Sequence, residues 1–89
     1  MRKCGLKELK KYCWEIQPSK YIVDIKHHLR ATFNCVEIST FPDYICFKSS
    51  DGNCLSIYGI THIWRSKNVF KVSCDYYGII IEIEIICIS

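Results

Sequence analysis

The sequence predicts an α+β domain, with two N-terminal helices packed on one face of a roughly five-stranded antiparallel meander. Three observations carry this. Apolar residues recur at helical spacing up to about residue 34 and at spacing two thereafter. Turn residues then punctuate the chain at short intervals, in "FPDY", "SSDGN", "RSKN" and "YYG". At 89 residues the chain has room for one domain only. The predicted division is a helical layer over residues 1–34 and a sheet layer over residues 35–89.

Between Arg2 and Ile16, Leu6, Leu9, Cys13 and Ile16 line one side while Lys3, Lys7, Lys10 and Lys11 line the other, the pattern of an amphipathic helix. Pro18 ends it at or before Gln17. Ser19 is placed to cap a second helix with the stripe Ile22, Ile25, Leu29 and Phe33 and a stop at Asn34. The weaker alternative reads "KYIVDI" as a strand.

Val36, Ile38 and Thr40 alternate with Glu37 and Ser39 in the first predicted strand, which "FPDY" turns into a second over Tyr44–Ser49. Side-chain polarity selects the next register. A two-residue Asp-Gly loop sets Lys48 against Leu55, whereas a three-residue loop with a left-handed Gly52 sets Phe47 against Leu55 and Ile45 against Ile57. The second register keeps like with like and is preferred. A bend is expected at Gly59, after which "GITHIW" resumes pairing. A two-residue Tyr77-Gly78 turn joins the last strands, Val69–Tyr76 and Ile79–Ile88. Phe70, Val72, Cys74 and Tyr76 then face Ile85, Ile83, Ile81 and Ile79, with Lys71 opposite Glu84 and Ser73 opposite Glu82.

This isoleucine-rich ending, "GIIIEIEIICIS", is half the length of a membrane-spanning helix and contains two glutamates, so it reads as a strand with one dry face. Last in a meander, it is either an edge open to a second copy or an interior strand with the first strand returning to its free side.

The start of the chain lacks the apolar core of a signal peptide, and the seven cysteines are odd in number with no C-x-x-C among them. The expectation is a cytoplasmic protein with reduced thiols and neither metal nor cofactor. Glu82 and Glu84 stand ~7 Å apart on one strand face, within range for acid and base work, but Lys71 opposite favours an ordinary ion pair. His27 and His28, ~100° apart on a helix, and the distant His62 do not share a ligand geometry. No nucleophile site or phosphate loop is present, and the chain reads as non-enzymatic.

Charge separates the two parts. Residues 1–34 carry eight Lys/Arg against three Asp/Glu, and residues 35–89 four against six, within an overall net charge of +3. A basic helix face of Lys3, Lys7, Lys10 and Lys11, with Lys26 and Arg30 on the second helix, suits a phosphate backbone. The sheet face left uncovered presents Tyr44, Tyr58, Ile80, Glu82, Glu84 and Ile86, a contact surface for a protein. The leading expectation is a module that binds a larger protein, with a nucleoprotein complex as one such partner. Nucleic-acid binding by the basic helices is the alternative, and homodimerisation through the last strand is open. No family motif is present. As a short, complete α+β chain rich in Ile, Lys and Tyr, it resembles in profile phage-encoded inhibitors of host defence nucleases, anti-CRISPR proteins among them.

Overall fold

A computed structural model describes all 89 residues. One helix and nine strands follow in the order β1 (Arg2–Cys4), α1 (Leu6–Ile16), β2 (Lys20–Ile25), β3 (Leu29–Phe33), β4 (Cys35–Thr40), β5 (Asp43–Lys48), β6 (Cys54–Tyr58), β7 (Ile60–Ser66), β8 (Val69–Tyr76) and β9 (Ile79–Ile88). They form a six-stranded antiparallel sheet, β1-β7-β8-β9-β2-β3, and a three-stranded one, β4-β5-β6. The architecture is mostly β, which overturns the α+β reading of two helices on one five-stranded sheet.

The error lies in residues 1–34, which hold one helix and three strands instead of a helical layer. Residues 20–33 form a hairpin in which Tyr21 pairs with Phe33 and Ile25 with Leu29, turning at His27 with a left-handed φ of 67°. The side chains alternate as a strand requires: Tyr21 and Val23 are buried, as is Phe33, while Ile22 is on the other face. The helical stripe of Ile22, Ile25, Leu29 and Phe33 is a coincidence of spacing. The aromatic and β-branched run Tyr21-Ile22-Val23 favours a strand locally, and β9 supplies a long partner for it.

That partner answers the question posed by the isoleucine-rich end. β9 is interior: it pairs with β8 from Val69↔Ile86 to Tyr76↔Ile79, and with β2 from Lys20↔Ile88 to Ile25↔Ile83. The strand returning to its free side is thus β2 and not the first strand of the predicted meander. Ile86, expected in the outward contact surface, sits between Val69 and Ile22 in one apolar row across three strands. On the β2 side the register leaves out Ile79–Glu82, and the Glu82 carbonyl still accepts from the Lys26 N–H at 3.4 Å, so most of the edge that a second copy would use is occupied.

The hairpins read from polarity hold. Phe47 faces Leu55 and Ile45 faces Ile57, with Gly52 at φ 93° in the connection. β8 and β9 pair in the expected register about Tyr77 and Gly78, both left-handed at φ 53° and 85°. The bend at Gly59 is larger than a curve in one sheet, for here the chain leaves the three-stranded sheet and enters the six-stranded one. Gly59 has φ 70°, its carbonyl accepts from the Asp75 N–H at 2.9 Å, and a Cβ built on it would stand 2.6 Å from the Asp75 carbonyl oxygen. Only glycine meets both demands.

The sheets face each other across one core. Ile38, Ile45, Phe47 and Ile57 from the small sheet meet Tyr21, Val23, Phe33, Phe70, Val72, Ile83 and Ile85 from the large one. Phe47 lies at the centre, its ring 5.9 Å from Tyr21 and 5.7 Å from Phe33. Helix α1 fills the space beside β4, burying Leu6 and Leu9 and setting Tyr12 edge-on to Phe70 at 5.3 Å. Its first turn is tied down by Glu8, which accepts from Arg2 (2.6 Å and 2.8 Å) and Arg65 (3.2 Å). These hydrogen bonds, led by Arg2, hold the Glu8 carboxyl below its usual pKa. Ile16, expected in the buried stripe, is exposed, and the helix stops at Gln17 in left-handed geometry. No helix is long and apolar enough to cross a membrane.

Candidate partner-binding surfaces

Because the sandwich has two outer faces, the contact surface expected on one sheet is divided. Tyr44 and Tyr58 lie on the outside of the small sheet, directly opposite each other with rings 5.7 Å apart. Ile80, Glu82, Glu84 and Ile86 belong to β9, and their side of that strand is the outside of the large sheet. A single-sheet reading could not separate them, since the division depends on the chain changing sheets at Gly59.

On the large sheet, one row of directly paired residues crosses all six strands: Lys3, Trp64, Lys71, Glu84, Asp24 and Arg30. Asp24 and Arg30 form an ion pair at 3.3 Å. The ion pair expected between Lys71 and Glu84 is not made within 4 Å, although the register is as read. Glu84 also faces Asp24, a like charge, and exposed pairs gain little from closing. Glu82 lies in the next row, opposite Ser73. The two glutamates line a broad, open groove with Lys71, Trp64 and His27, and no donor fixes either carboxylate for proton transfer.

On the small sheet, Glu37 accepts from the Tyr44 hydroxyl at 2.8 Å and from Lys48 at 3.3 Å, and these bonds, Tyr44 foremost, lower its carboxyl pKa. Cys46 and Cys54 lie beside them on neighbouring strands.

The predicted basic face is also split. Lys26 is in the β2–β3 turn and Arg30 on β3, at the far edge of the large sheet, while Lys3 is on β1 at the opposite edge. Lys7, Lys10 and Lys11 remain together on α1. They border a groove of ≈ 660 Å³ between the helix and β4, floored by Val36, Ile38 and Tyr21. Trp14 stands in its wall, 78% exposed. Lys7 and Lys10 have no carboxylate within 4 Å, and Lys11 has only the loose helical pair with Glu15 at 3.8 Å. β4 pairs with β5 alone. Since the inward Val36 and Ile38 and the outward Glu37 all line the groove, it follows the unpaired edge of β4. Trp14 is the residue that sequence reasoning missed; its signal was position, for Lys7, Lys10, Lys11 and Trp14 repeat at the spacing of one helix side.

A fourth surface is apolar. By register Tyr76, Ile79 and Leu29 belong to the inward side of the large sheet, yet all three are exposed, together with Tyr77 and Ile80 at the β8–β9 turn. The small sheet and helix leave this end uncovered.

His27 and His28 lie at the β2–β3 turn, and His62 on β7 packs near Trp64 with rings 5.4 Å apart. No group of three or more His, Cys, Asp or Glu is arranged to hold a metal ion. Compared with protein-family models, with curated proteins and with solved structures, the chain shows no significant match.

Proposed function

We propose that this protein is a non-enzymatic protein-binding module that acts in the cytoplasm by occupying a site on a larger partner. The observation that carries the reading is the groove between α1 and β4. It combines an unpaired strand edge, three lysines and an exposed tryptophan along one line. An added strand gains affinity from main-chain hydrogen bonds, and side-chain pockets beside it supply selectivity. Lys7, Lys10 and Lys11 select an acidic segment, and Trp14 offers the aromatic anchor that dominates many interfaces. The resemblance to phage inhibitors rested in part on an α+β architecture, and with that corrected only the binding role is retained.

The test titrates the protein with an extended peptide of alternating Glu and Val, read by backbone amide shifts. Saturable shifts along Cys35–Thr40 are expected, with affinity reduced by at least about tenfold, or ~1.4 kcal/mol, in the triple variant Lys7→Glu, Lys10→Glu, Lys11→Glu and in Trp14→Ala. No shifts in β4, or shifts indifferent to these variants, would reject the site. A single-stranded oligonucleotide is titrated in parallel. If it binds instead, with affinity falling steeply with salt and lost in the triple variant, the groove is a nucleic-acid site and the protein-binding reading fails.

A further inference from the structure

The seven cysteines take no part in that reading, yet two of them stand in a defined relation. Cys46 on β5 pairs with Ser56, and Cys54 on β6 pairs with Lys48, so the two cysteines are diagonal neighbours on the outside of the small sheet. Their sulfurs are 3.3 Å apart. A disulfide bond measures about 2.05 Å, so the sulfurs must approach by ~1.2 Å. Diagonal neighbours on paired strands have α-carbons about 7–8 Å apart, at the upper limit a disulfide bridges, so closure draws the β5–β6 hairpin together as well as turning the two side chains. Access is asymmetric: Cys54 is exposed and Cys46 is buried beneath it, with the Ser56 hydroxyl 3.5 Å from the Cys46 sulfur.

We propose that Cys46 and Cys54 form a reversible dithiol site whose co-reactant is a small-molecule disulfide of the glutathione type. The exposed Cys54 thiolate attacks one sulfur of the reagent RSSR, forming Cys54–S–SR and releasing RS⁻. Cys46, after losing its proton to solvent, attacks the Cys54 sulfur of that mixed disulfide, forming the Cys46–Cys54 bond and releasing the second RS⁻. Two protein thiols are oxidised, one external disulfide is reduced to two thiols, and the electrons balance.

The asymmetry assigns the order, since an entry thiol must be reachable and a resolving thiol must only be near. Lys48, directly opposite Cys54, favours the attacking thiolate, while the hydrogen bond with Cys46 opposes it more strongly and raises the Cys54 thiol. The disulfide closes a short loop around the Ser49–Asn53 turn and pins the β5–β6 hairpin, stabilising it against unfolding by restricting the unfolded chain.

The experiment incubates the folded protein with oxidised glutathione, traps remaining thiols with an alkylating agent, and reads intact mass and a non-reducing peptide map. The expected product has Cys46 linked to Cys54, two hydrogens lighter than the free pair and with no glutathione on either, whatever the exposed Cys35 carries, and it unfolds at a higher denaturant midpoint than the reduced form. Cys46→Ser is expected to halt at a glutathione adduct on Cys54, and Cys54→Ser to take no adduct at position 46. Cys46→Ala replaces the serine variant if the latter fails to fold. A wild-type product that keeps glutathione on Cys54 would overturn the proposal. So would a link between another pair, such as Cys13 and Cys87, or unchanged thiols after prolonged exposure.

Discussion

At the scale of single residues, Gly59 decides more of the architecture than any large side chain. It is the one point where the chain crosses from the small sheet to β7 of the large one, in left-handed geometry and with the Asp75 backbone against its α-carbon. A methyl group there faces two penalties. The left-handed conformation costs an L-residue about 1–2 kcal/mol, and the contact at 2.6 Å is with a carbonyl oxygen held in the β8 backbone, which cannot swing aside as a side-chain end would. Gly59→Ala is expected to destabilise the fold by about 2–4 kcal/mol, measured by urea unfolding. By contrast Gly52→Ala, where nothing lies within 4 Å of the added carbon, meets the conformational penalty alone. Equal losses at the two glycines would show that the close approach to Asp75 contributes nothing.

At the scale of elements, what was legible depended on whether the decisive partner was near in sequence. The β5–β6 and β8–β9 hairpins were readable because their registers are fixed by turns of a few residues and by matching faces: Phe47 against Leu55, Phe70 against Ile85. Residues 20–33 were not, because Ile22, Ile25, Leu29 and Phe33 satisfy a helical period by accident, and the strand that overrides it, β9, lies at the far end of the chain. Lys7, Lys10 and Lys11 were likewise legible as one helix side, but that β4 runs beside them was not, since this depends on how the helix docks. The two readings of the segment differ in a measurable way. In the helix, Ile22 belongs to the buried stripe and Val23 does not; in the strand, Val23 is fully buried and Ile22 only half-buried. Val23→Ala is therefore expected to cost ~2–3 kcal/mol, and Ile22→Ala no more than about half of that. The reverse order in chemical denaturation would restore the helix.

At the scale of the whole molecule, the consequence of an interior β9 is that the fold closes only when its last strand is in place. β9 joins the β7–β8 side of the large sheet to the β2–β3 hairpin, and Ile83, Ile85 and Cys87 supply the core along that seam. Without it, β2 loses its only link to β8. Val23 on one side of the seam, and Phe70 and Val72 on the other, then lose the side chains packed between them. β1 is the opposite case, a three-residue edge strand contributing one half-buried cysteine and the Arg2–Glu8 pair. Two truncations separate these roles. A chain ending at Gly78 is expected to lack cooperative thermal unfolding and dispersed amide resonances, because a sheet interrupted at its centre leaves two apolar edges that nothing covers. A chain starting at Gly5 is expected to fold with the same spectrum and a lower midpoint, since an exposed ion pair and one strand edge are small losses. A folded, monomeric product from the first truncation would mean that β9 is an accessory edge, as a simple meander requires, and the six-stranded order would have to be abandoned.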